Sequence, residues 1–291
     1  MSFDELFLSP RGLLVNNNSN FVCHGPNFSK LQQATQATLR LPYDDQKIRY
    51  VAGFTDKGMQ ELYSDILIPI MDDFYKITNQ SMVLESGYRS VGSVSKLILE
   101  LAATAQMDYD KIFDALERLY GHESDNDSLR EEVQAKMKER IDKLTTLSDI
   151  ATDVTNSLRD AIGNVTEAQI LVKKIGADLS SQSTIERLRA CHEGERDSED
   201  FDDDCNALGT LQDIIDKQNM QDDSGGSMDD LQHAVGATVD IWNDLTALST
   251  YVAEHTKPGP GPLLDLQKNK LLEMWSDLAT EVKDFLDNYM G

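Results

Sequence analysis

Residues 128–190 read SLREEVQAKMKERIDKLTTLSDIATDVTNSLRDAIGNVTEAQILVKKIGADLSSQSTIERLRA and contain no proline. Ser128 and Glu131 form a capping box at the start of this segment. Its apolar residues recur at alternating intervals of three and four, which is typical of the seam of a coiled-coil-like helix. The pattern predicts one very long central helix, about 90 Å from end to end. The seam consists of Val133, Met137, Ile141, Leu144, Leu147, Ala151, Val154, Leu158, Ile162, Val165, Ala168, Val172, Ile175 and Leu179.

Downstream, the segment KPGPGP separates two predicted helices, because proline cannot continue a helix. The helices cover residues 227–255 and about 263–290. Since they are similar in length and joined by a short turn, they are expected to lie antiparallel, so residues 227–290 are predicted to form a C-terminal hairpin. Trp242 and Trp275 lie on the two apolar seams, which predicts that they pack in the same layer of the helix pair.

Upstream of the long helix, the sequence predicts an irregular segment at residues 1–26, followed by several helices. Breaks are expected near Pro69, at the SGYRSVGS segment of residues 86–93, and at Asp108, where proline, glycine, serine or a capping aspartate interrupts the apolar pattern. No alternation typical of strands extends over a useful length. The predicted class is all-α: an elongated helical bundle that forms a single domain of residues 27–291.

The chain is strongly acidic, with a formal net charge of −24 and a pI of about 4.4. This charge argues against nucleic acid as a partner, because neutralising phosphates requires clustered lysine and arginine, and it disfavours attraction to anionic lipid. The sequence has no pattern typical of a secretion signal and no stretch apolar enough to span a membrane. We therefore expect a soluble protein with reduced cysteines, either cytoplasmic or released by a non-standard route.

Residues 191–226 follow the long helix, form the most acidic part of the chain and are expected to make its tip. Within them, Cys191 and Cys205 enclose eight carboxylates and one arginine. A disulfide between these cysteines would close the segment into a loop and stabilise it by about 3 kcal/mol if oxidised. An open, solvated tip is the other interpretation, and both stay open. The carboxylates assigned to the acidic tip are Asp200, Asp202, Asp203 and Asp204.

The same segment does not match a known metal site. An EF-hand calcium loop counted from Asp200 requires glycine at its sixth position and glutamate at its twelfth, where the sequence has Cys205 and Leu211. The adjacent Cys-His pairs lack the spacing of two to four residues that is typical of zinc ligands. We expect no metal and no cofactor.

No catalytic motif is present in the sequence. It lacks a G-x-S-x-G nucleophile elbow, a Walker A motif, an H-E-x-x-H zinc motif and a dinucleotide fingerprint. The five histidines are scattered, without the neighbours that a nucleophile relay requires. We therefore expect a protein that is not an enzyme and has no catalytic residues.

The order and lengths of the predicted helices resemble those of a known family. One very long helix, a tip segment and the tryptophan-bearing segments IWNDLTALSTYVAEH (241–255) and LLEMWSDLATEVKDFLDNY (271–289) together resemble the α-helical pore-forming toxins of the cytolysin A and tripartite enterotoxin type. The resemblance covers about residues 27–290 and rests on helix lengths and seams, without a diagnostic motif. It implies a helical rod with a small head, and components that assemble in sets.

The sequence departs from this family in the head, which normally carries an apolar hairpin that enters lipid. Residues 180–226 occupy the corresponding place and are acidic, and burying their carboxylates in hydrocarbon would cost several kcal/mol each. The resemblance therefore implies a non-inserting component, or membrane contact through another helix. Packing of that other helix in the bundle core is the alternative interpretation. Its candidate membrane-contact residues are Val91, Val94, Leu97, Ile98 and Leu101.

Two functions remain as hypotheses. The first is a non-enzymatic helical protein of the toxin type, which acts by assembly with partner proteins or with itself, and at membranes. The second is an intracellular helical adaptor or scaffold that binds a basic partner through its acidic tip. Leakage of liposomes or lysis of cells is expected only for the first.

Overall fold

The computed structural model describes residues 7–15, 20–23, 26–121, 127–179, 181–192, 199–217, 221–254 and 261–289. Helices dominate these residues, so the predicted all-α class is confirmed. The strands β1 and β2 form an antiparallel ladder of two residues each. In chain order the elements are β1 (Leu14–Val15), β2 (Asn20–Phe21), α1 (Pro26–Thr38), α2 (Asp45–Ala52), α3 (Asp56–Leu62), a π-helical turn (Tyr63–Leu67), α4 (Ile68–Gly121), α5 (Asp127–Gly176), α6 (Gln182–Cys191), α7 (Glu199–Asp216), α8 (Gln221–Glu254) and α9 (Gly261–Tyr289).

The chain divides into two compact units. Unit 1 comprises residues 1–28, 89–156 and 226–291, and unit 2 comprises residues 29–88 and 157–225. The two long helices, α4 and α5, contribute residues to both units. The sequence predicts a single helical domain instead, because an unbroken apolar seam shows which face of a helix is buried but not which partners it meets along its length.

The helix α4 is uninterrupted, although the sequence predicts breaks at residues 86–93 and at Asp108. Gly87 lies inside the helix where α5 comes close, because a Cβ at this position would lie 2.3 Å from Leu158 Cδ2. Ser93 donates its hydroxyl to the backbone carbonyl four residues back, so the helix itself satisfies this side chain. Gly87 therefore marks a close approach of two helices, and packing there overrides the low helix propensity of glycine.

The interruption predicted near Pro69 is present as the π-helical turn that precedes α4. Proline has no backbone N–H, and its ring crowds the carbonyl four residues back, so a regular α-helical ladder cannot pass through this position. The N–H of Ile68 instead donates to the carbonyl of Tyr63, five residues back. The helices α3 and α4 are thereby joined without a loop.

The predicted helix of residues 128–190 divides into α5 and α6. Gly176 ends α5 where it fits against α7, since a Cβ there would lie 3.1 Å from two atoms of Ile215. Ser181 then caps α6, its hydroxyl accepting a hydrogen bond from the N–H of Thr184 at 3.2 Å. A glycine followed shortly by a serine cap ends one helix and begins another, and the apolar seam alone does not reveal it.

The predicted tip at residues 191–226 contains a helix, α7, whose first residues lie in the acidic run between Cys191 and Cys205. Three carboxylates lie in the first turn of α7, namely Glu199, Asp200 and Asp202. In this position they interact favourably with the positive end of the helix dipole. The acidic run that suggests a solvated loop therefore also stabilises the start of a helix.

The core of unit 1 includes the beginning of the chain, which the sequence predicts as irregular. Phe21 of β2 packs edge-to-face on Phe285 of α9, with ring centroids 5.4 Å apart. Trp275 of α9 is 1% exposed and packs against Tyr109 of α4, with ring centroids 6.0 Å apart, whereas Trp242 is half-buried. The partner of Trp275 across the helices is thus an aromatic residue of α4.

Candidate functional site

The four aspartates predicted to form an acidic tip lie in two different environments. Asp200, Asp202 and Asp203 are exposed on α7, as the sequence predicts. Asp204 is fully buried, so its assignment to a solvated tip is wrong. It occupies the first position of the buried face of α7, which continues at intervals typical of an amphipathic helix. The residues that follow it on this face are Ala207, Leu208, Leu211 and Ile215.

The Asp204 carboxylate accepts three hydrogen bonds. The backbone N–H of Thr55 donates to Oδ1 at 2.7 Å, and the Thr55 hydroxyl donates to Oδ2 at 2.8 Å. His192 Nε2 donates to Oδ2 at 2.9 Å. Because a buried charge is tolerated only when its polar partners are supplied, these bonds explain why a carboxylate can lie here. We call Thr55, His192 and Asp204 the Asp204 anchor.

The anchor joins three helix ends of unit 2. Thr55 is the N-cap of α3, His192 is the C-cap of α6, and Asp204 lies in α7. The fit is tight, because a Cβ on Gly58 would lie 2.3 Å from the Asp204 carboxyl group. Phe201 closes one side, its ring 6.2 Å from the His192 ring and edge-on to it. The arrangement fixes helix ends in place.

The anchor does not have the composition of a metal centre. In the part of the chain that the structure describes, no group of three or more histidine, cysteine, aspartate or glutamate side chains is placed to hold a metal ion. The order of contacts also differs from a nucleophile relay, since the carboxylate lies between the imidazole and the hydroxyl. Thr55 was not singled out by the sequence, and His192 was considered only as part of a Cys-His pair without the spacing of zinc ligands. Only the buried-face spacing of Asp204 could have revealed the cluster.

The two cysteines of the predicted disulfide flank the anchor and are free thiols in the structure. Cys191 Sγ donates to the carbonyl of Leu188 at 3.1 Å. Partial burial, reinforced by nearby carboxylates, raises the pKa of the Cys191 and Cys205 thiols. Both are therefore protonated at neutral pH and weak nucleophiles. The hydrogen bond between His192 and Asp204, rather than a disulfide, links α6 to α7.

The candidate membrane-contact residues lie in the part of α4 that belongs to unit 1. Four of them, Val91, Val94, Ile98 and Leu101, are at most 5% exposed, and Leu97 is half-buried. This is the core packing that the sequence offers as the alternative interpretation. Among the described helices, none has an apolar run long enough to traverse a bilayer.

An open groove of about 550 Å³ lies between α4 and α5 in unit 1. It explains why Leu97 is more accessible than its neighbours. Lys143, on its lining, places Nζ 3.5 Å from Asp108. The lining combines apolar, hydroxyl and charged side chains: Leu97, Glu100, Leu101, Ala103, Thr104, Lys143, Thr146 and Leu147.

A separate exposed apolar feature lies on α4 in unit 2. Ile68, Tyr75 and Met82 are 36%, 53% and 52% exposed. They follow one another at intervals of seven residues, which is two helical turns, so they lie along one face of the helix. We call these three residues the α4 stripe. The Tyr75 ring packs edge-to-face on Tyr43 at 5.8 Å, and Lys47 Nζ lies 3.4 Å from the centre of the Tyr43 ring. The seven-residue spacing can be seen in the sequence, but the exposure of these three side chains cannot.

No protein-family model matches the chain, and no curated protein matches its sequence. Among solved structures, the chain is similar to XaxA from Xenorhabdus nematophila, with a TM-score of 0.37 and 12% identity over 91% of this chain and 96% of that one. It is also similar to the soluble AhlC triple head mutant of the tripartite alpha-pore forming toxin AHL from Aeromonas hydrophila, with a TM-score of 0.30 and 14% identity over 90% of this chain and 98% of that one. These alignments bear out a weak architectural resemblance at low identity.

Proposed function

We propose that this chain is a non-catalytic helical component of the pore-forming toxin type, which acts by assembly with other helical proteins. The observation that carries the proposal is the α4 stripe. Three large apolar side chains, each at least 36% exposed, repeat every seven residues on a chain of net charge −24. Apolar residues spaced by seven on an exposed helix face form the pattern that packs against a second amphipathic helix.

The chemistry of the stripe fits a protein partner. Tyrosine and methionine are enriched in the cores of protein interfaces, where tyrosine supplies a large contact area at a low entropic cost. Burying the exposed halves of Tyr75 and Met82 against a partner helix would contribute about 1 kcal/mol each. Lys47, which lies over the Tyr43 ring beside Tyr75, places a cation at the edge of the stripe. An acidic residue on the partner helix would pair with it.

The packing of α4 in unit 1 supports a non-inserting component. An inserted helix would carry its polar face into lipid together with its apolar face, and the exposed positions of this segment include Lys96 and Glu100. Each such charge costs about 3 kcal/mol at the bilayer centre on translocon-based scales. The four buried candidate residues would in addition lose their partners in the core of unit 1. Membrane action is therefore assigned to the assembled complex.

The proposal is tested with the substitution Tyr75→Glu, which places a charge in the centre of the stripe. The matched control is Tyr50→Glu, because Tyr50 is 88% exposed on α2 and lies off the stripe. Wild type and variants are incubated with mild detergent or with liposomes, then sized by light scattering and imaged by negative stain. We expect at least about tenfold less assembly for Tyr75→Glu and wild-type assembly for Tyr50→Glu.

Two results would contradict the proposal. If Tyr75→Glu assembles as the wild type does, the stripe is not the docking face. If the chain alone releases dye from liposomes, it inserts without a partner and is not a non-inserting component. Circular dichroism of both variants shows whether the helices are retained, so that a folding defect is not counted as an assembly defect.

A second candidate function, an adaptor for a basic partner, is favoured by the exposed carboxylates of α7. Asp200, Asp202 and Asp203 face solvent at the start of a helix whose position Asp204 fixes. A lysine-rich peptide is the probe. Binding that weakens with salt and is lost in Asp202→Asn/Asp203→Asn would support the adaptor, whereas no binding at low salt would exclude it.

A further inference from the structure

The beginning of the chain lies in the core of unit 1 as two short strands flanked by turns. We call residues 7–15 and 20–23 the N-terminal strap. Phe7 is half-buried, and six other apolar side chains of the strap are at most 6% exposed, which is as complete a burial as in the helices around them. These buried residues are Leu8, Leu13, Leu14, Phe21, Val22 and Cys23.

Side chains of three helices form hydrogen bonds with the backbone of one strap residue, Leu8. Its N–H donates to Asp244 Oδ2 of α8 at 2.8 Å. Its carbonyl accepts from the Tyr109 hydroxyl of α4 at 3.3 Å and from Trp275 Nε1 of α9 at 3.0 Å. Side chains of three helices thus satisfy both backbone polar groups of Leu8, and main-chain hydrogen bonds of this kind contribute to the affinity with which proteins bind peptides.

The strap is also held in one register. Arg11 Nη2 donates to both carboxylate oxygens of Asp244 at 2.7 Å, so a single aspartate binds the side chain of Arg11 and the backbone of Leu8. Gly12, at φ 79°, comes so close to α8 that a Cβ there would lie 2.9 Å from Ala237 Cβ. Any other residue at position 12 would meet both a backbone penalty and a steric one.

The groove that holds Leu8 is lined by side chains that also contact one another. The Arg140 guanidinium lies 4.4 Å from the centre of the Tyr109 ring and 4.7 Å from that of the Trp275 ring. Arg140 Nη1 is in turn held by Asp108 at 3.1 Å and by the Leu101 carbonyl at 3.3 Å. The two aromatic side chains that hydrogen-bond to Leu8 are therefore also held by a contact with α5 that does not involve the strap.

Two features of the strap favour its release from the groove of its own chain. Leu8 has a φ of 63°, a left-handed conformation that is strained for a leucine. The segment of residues 7–23 contains no aspartate or glutamate, and Arg11 is its only charged side chain, although the whole chain has a net charge of −24. The strap thus carries no carboxylate that the acidic surface of another copy would repel.

We infer that this groove is a peptide-binding site whose second ligand is the N-terminal strap of another copy, so that exchanged straps join two copies of the chain. The strap of a second copy offers the same apolar residues, the same Leu8 backbone and the same Arg11. Exchange replaces each contact by an identical one, and its cost is mainly the entropy of association. The inference names one partner for the assembly proposed above and rests on that proposal.

The test uses two full-length variants with opposite charge reversals, Arg11→Asp and Asp244→Arg. Within either variant the strap and groove carry like charges, which oppose each other at close range. When the two are mixed, the Arg11 strap of one copy meets the Asp244 groove of the other, and the reversed pair also matches. We expect a species of twice the chain mass in the mixture, at least about tenfold more abundant than in either variant alone by native mass spectrometry.

The double variant Arg11→Asp/Asp244→Arg is the control, since its matched pair can form within one chain. Circular dichroism establishes that each variant retains its helices. A mixture that remains monomeric, with both single variants folded, would overturn strap exchange. Variants that unfold alone and regain helix content only when mixed would support it. Tyr75→Glu must leave the mixed dimer intact, so that failure of the stripe and failure of strap exchange are told apart.

Discussion

The buried charges at the centres of the two units are held in opposite ways. In unit 2, both oxygens of the Asp204 carboxylate accept hydrogen bonds, from Thr55 and His192. In unit 1, the Arg140 guanidinium is 1% exposed and lies between two aromatic rings. Its Nη1 donates to Asp108 and to the Leu101 carbonyl, while its Nε and Nη2 have no hydrogen-bond partner among the described residues. Hydrogen bonds to both oxygens hold the anion, whereas the cation is held by two ring faces and by hydrogen bonds from one of its three nitrogens.

This difference follows from the chemistry of the two groups. A carboxylate is compact and strongly hydrated, so it enters a core only where donors replace its water. A guanidinium is planar and weakly hydrated, and it stacks on aromatic rings without losing as much solvation energy. The anion therefore depends on every one of its partners, and the cation depends on few of its own.

The largest expected effect is the loss of the anion. Asp204→Ala leaves the His192 Nε2–H buried without an acceptor and removes the acceptor of the half-buried Thr55 N–H and hydroxyl. We expect this to lower the free energy of unfolding by about 3–5 kcal/mol. Urea unfolding followed by circular dichroism measures the change, and hydrogen exchange should place it in unit 2. Asp203→Ala, an exposed neighbour on α7, is the control and should change stability by less than about 0.5 kcal/mol.

The next effect tests how closely the anchor is packed. Gly58→Ala introduces a Cβ 2.3 Å from a carboxyl group that three hydrogen bonds hold in place. The helix α3 or the anchor must shift, and we expect a loss of about 2 kcal/mol in urea unfolding. Gly209→Ala is the matched control in the same unit, because nothing lies within 4 Å of its Cβ position. That change should stabilise α7 by about 0.5–1 kcal/mol, and equal effects at both glycines would refute the tight fit.

Replacing the cation should cost less than removing the anion. Arg140→Met keeps the aliphatic stem and the packing on Tyr109 and Trp275. In this variant Asp108 loses Arg140 as a partner. However, Asp108 is 16% exposed, and Lys143 Nζ still lies 3.5 Å from it. We expect a loss of about 1–2 kcal/mol, smaller than that of Asp204→Ala. A loss as large as that of Asp204→Ala would mean that the guanidinium is as dependent on its partners as the carboxylate is.

Much of the fold follows from apolar spacing in the sequence. The seam from Val133 to Val172 predicts α5 because each turn of a helix returns to the same face, and the C-terminal helices follow from the same rule. Glycine was a less reliable guide to the ends of helices than apolar spacing was to their buried faces. Gly87 lies inside α4 because a neighbouring helix comes close, whereas Gly176 ends α5, and only the tertiary partners Leu158 and Ile215 distinguish the two.

The buried polar clusters could not be predicted, because their members are far apart in the sequence. Asp204 meets Thr55, which lies 149 residues earlier, and Leu8 meets Asp244, which lies 236 residues later. Four acidic residues around position 202 indicate solvent exposure by composition alone. The spacing from Asp204 to Leu208 and Leu211 indicates burial of one of them, and that helical spacing is the better guide.

The smallest expected effect concerns a charge pair at the surface of unit 2, where water screens the attraction between opposite charges more than the core does. Arg187 donates to Asp65 Oδ2 at 2.7 Å and to the Glu61 carbonyl at 2.7 Å. Its hydrogen bond lowers the pKa of the Asp65 carboxyl. A lowered pKa in the folded state stabilises the fold above the pKa of an unfolded aspartate, about 3.9, and this contribution is lost as the pH falls through the lowered value.

Arg187→Gln should therefore cost less than about 1 kcal/mol at pH 7, and the difference from wild type should narrow as the pH falls below about 4. Urea midpoints measured between pH 7 and pH 3 check both statements. A difference that stays constant over this range would assign the effect of Arg187 to its bond with the Glu61 carbonyl, which does not titrate. Since 36% of the Arg187 side chain is exposed, added salt should reduce the difference at pH 7, whereas the loss in Asp204→Ala should be insensitive to salt because its carboxylate is buried.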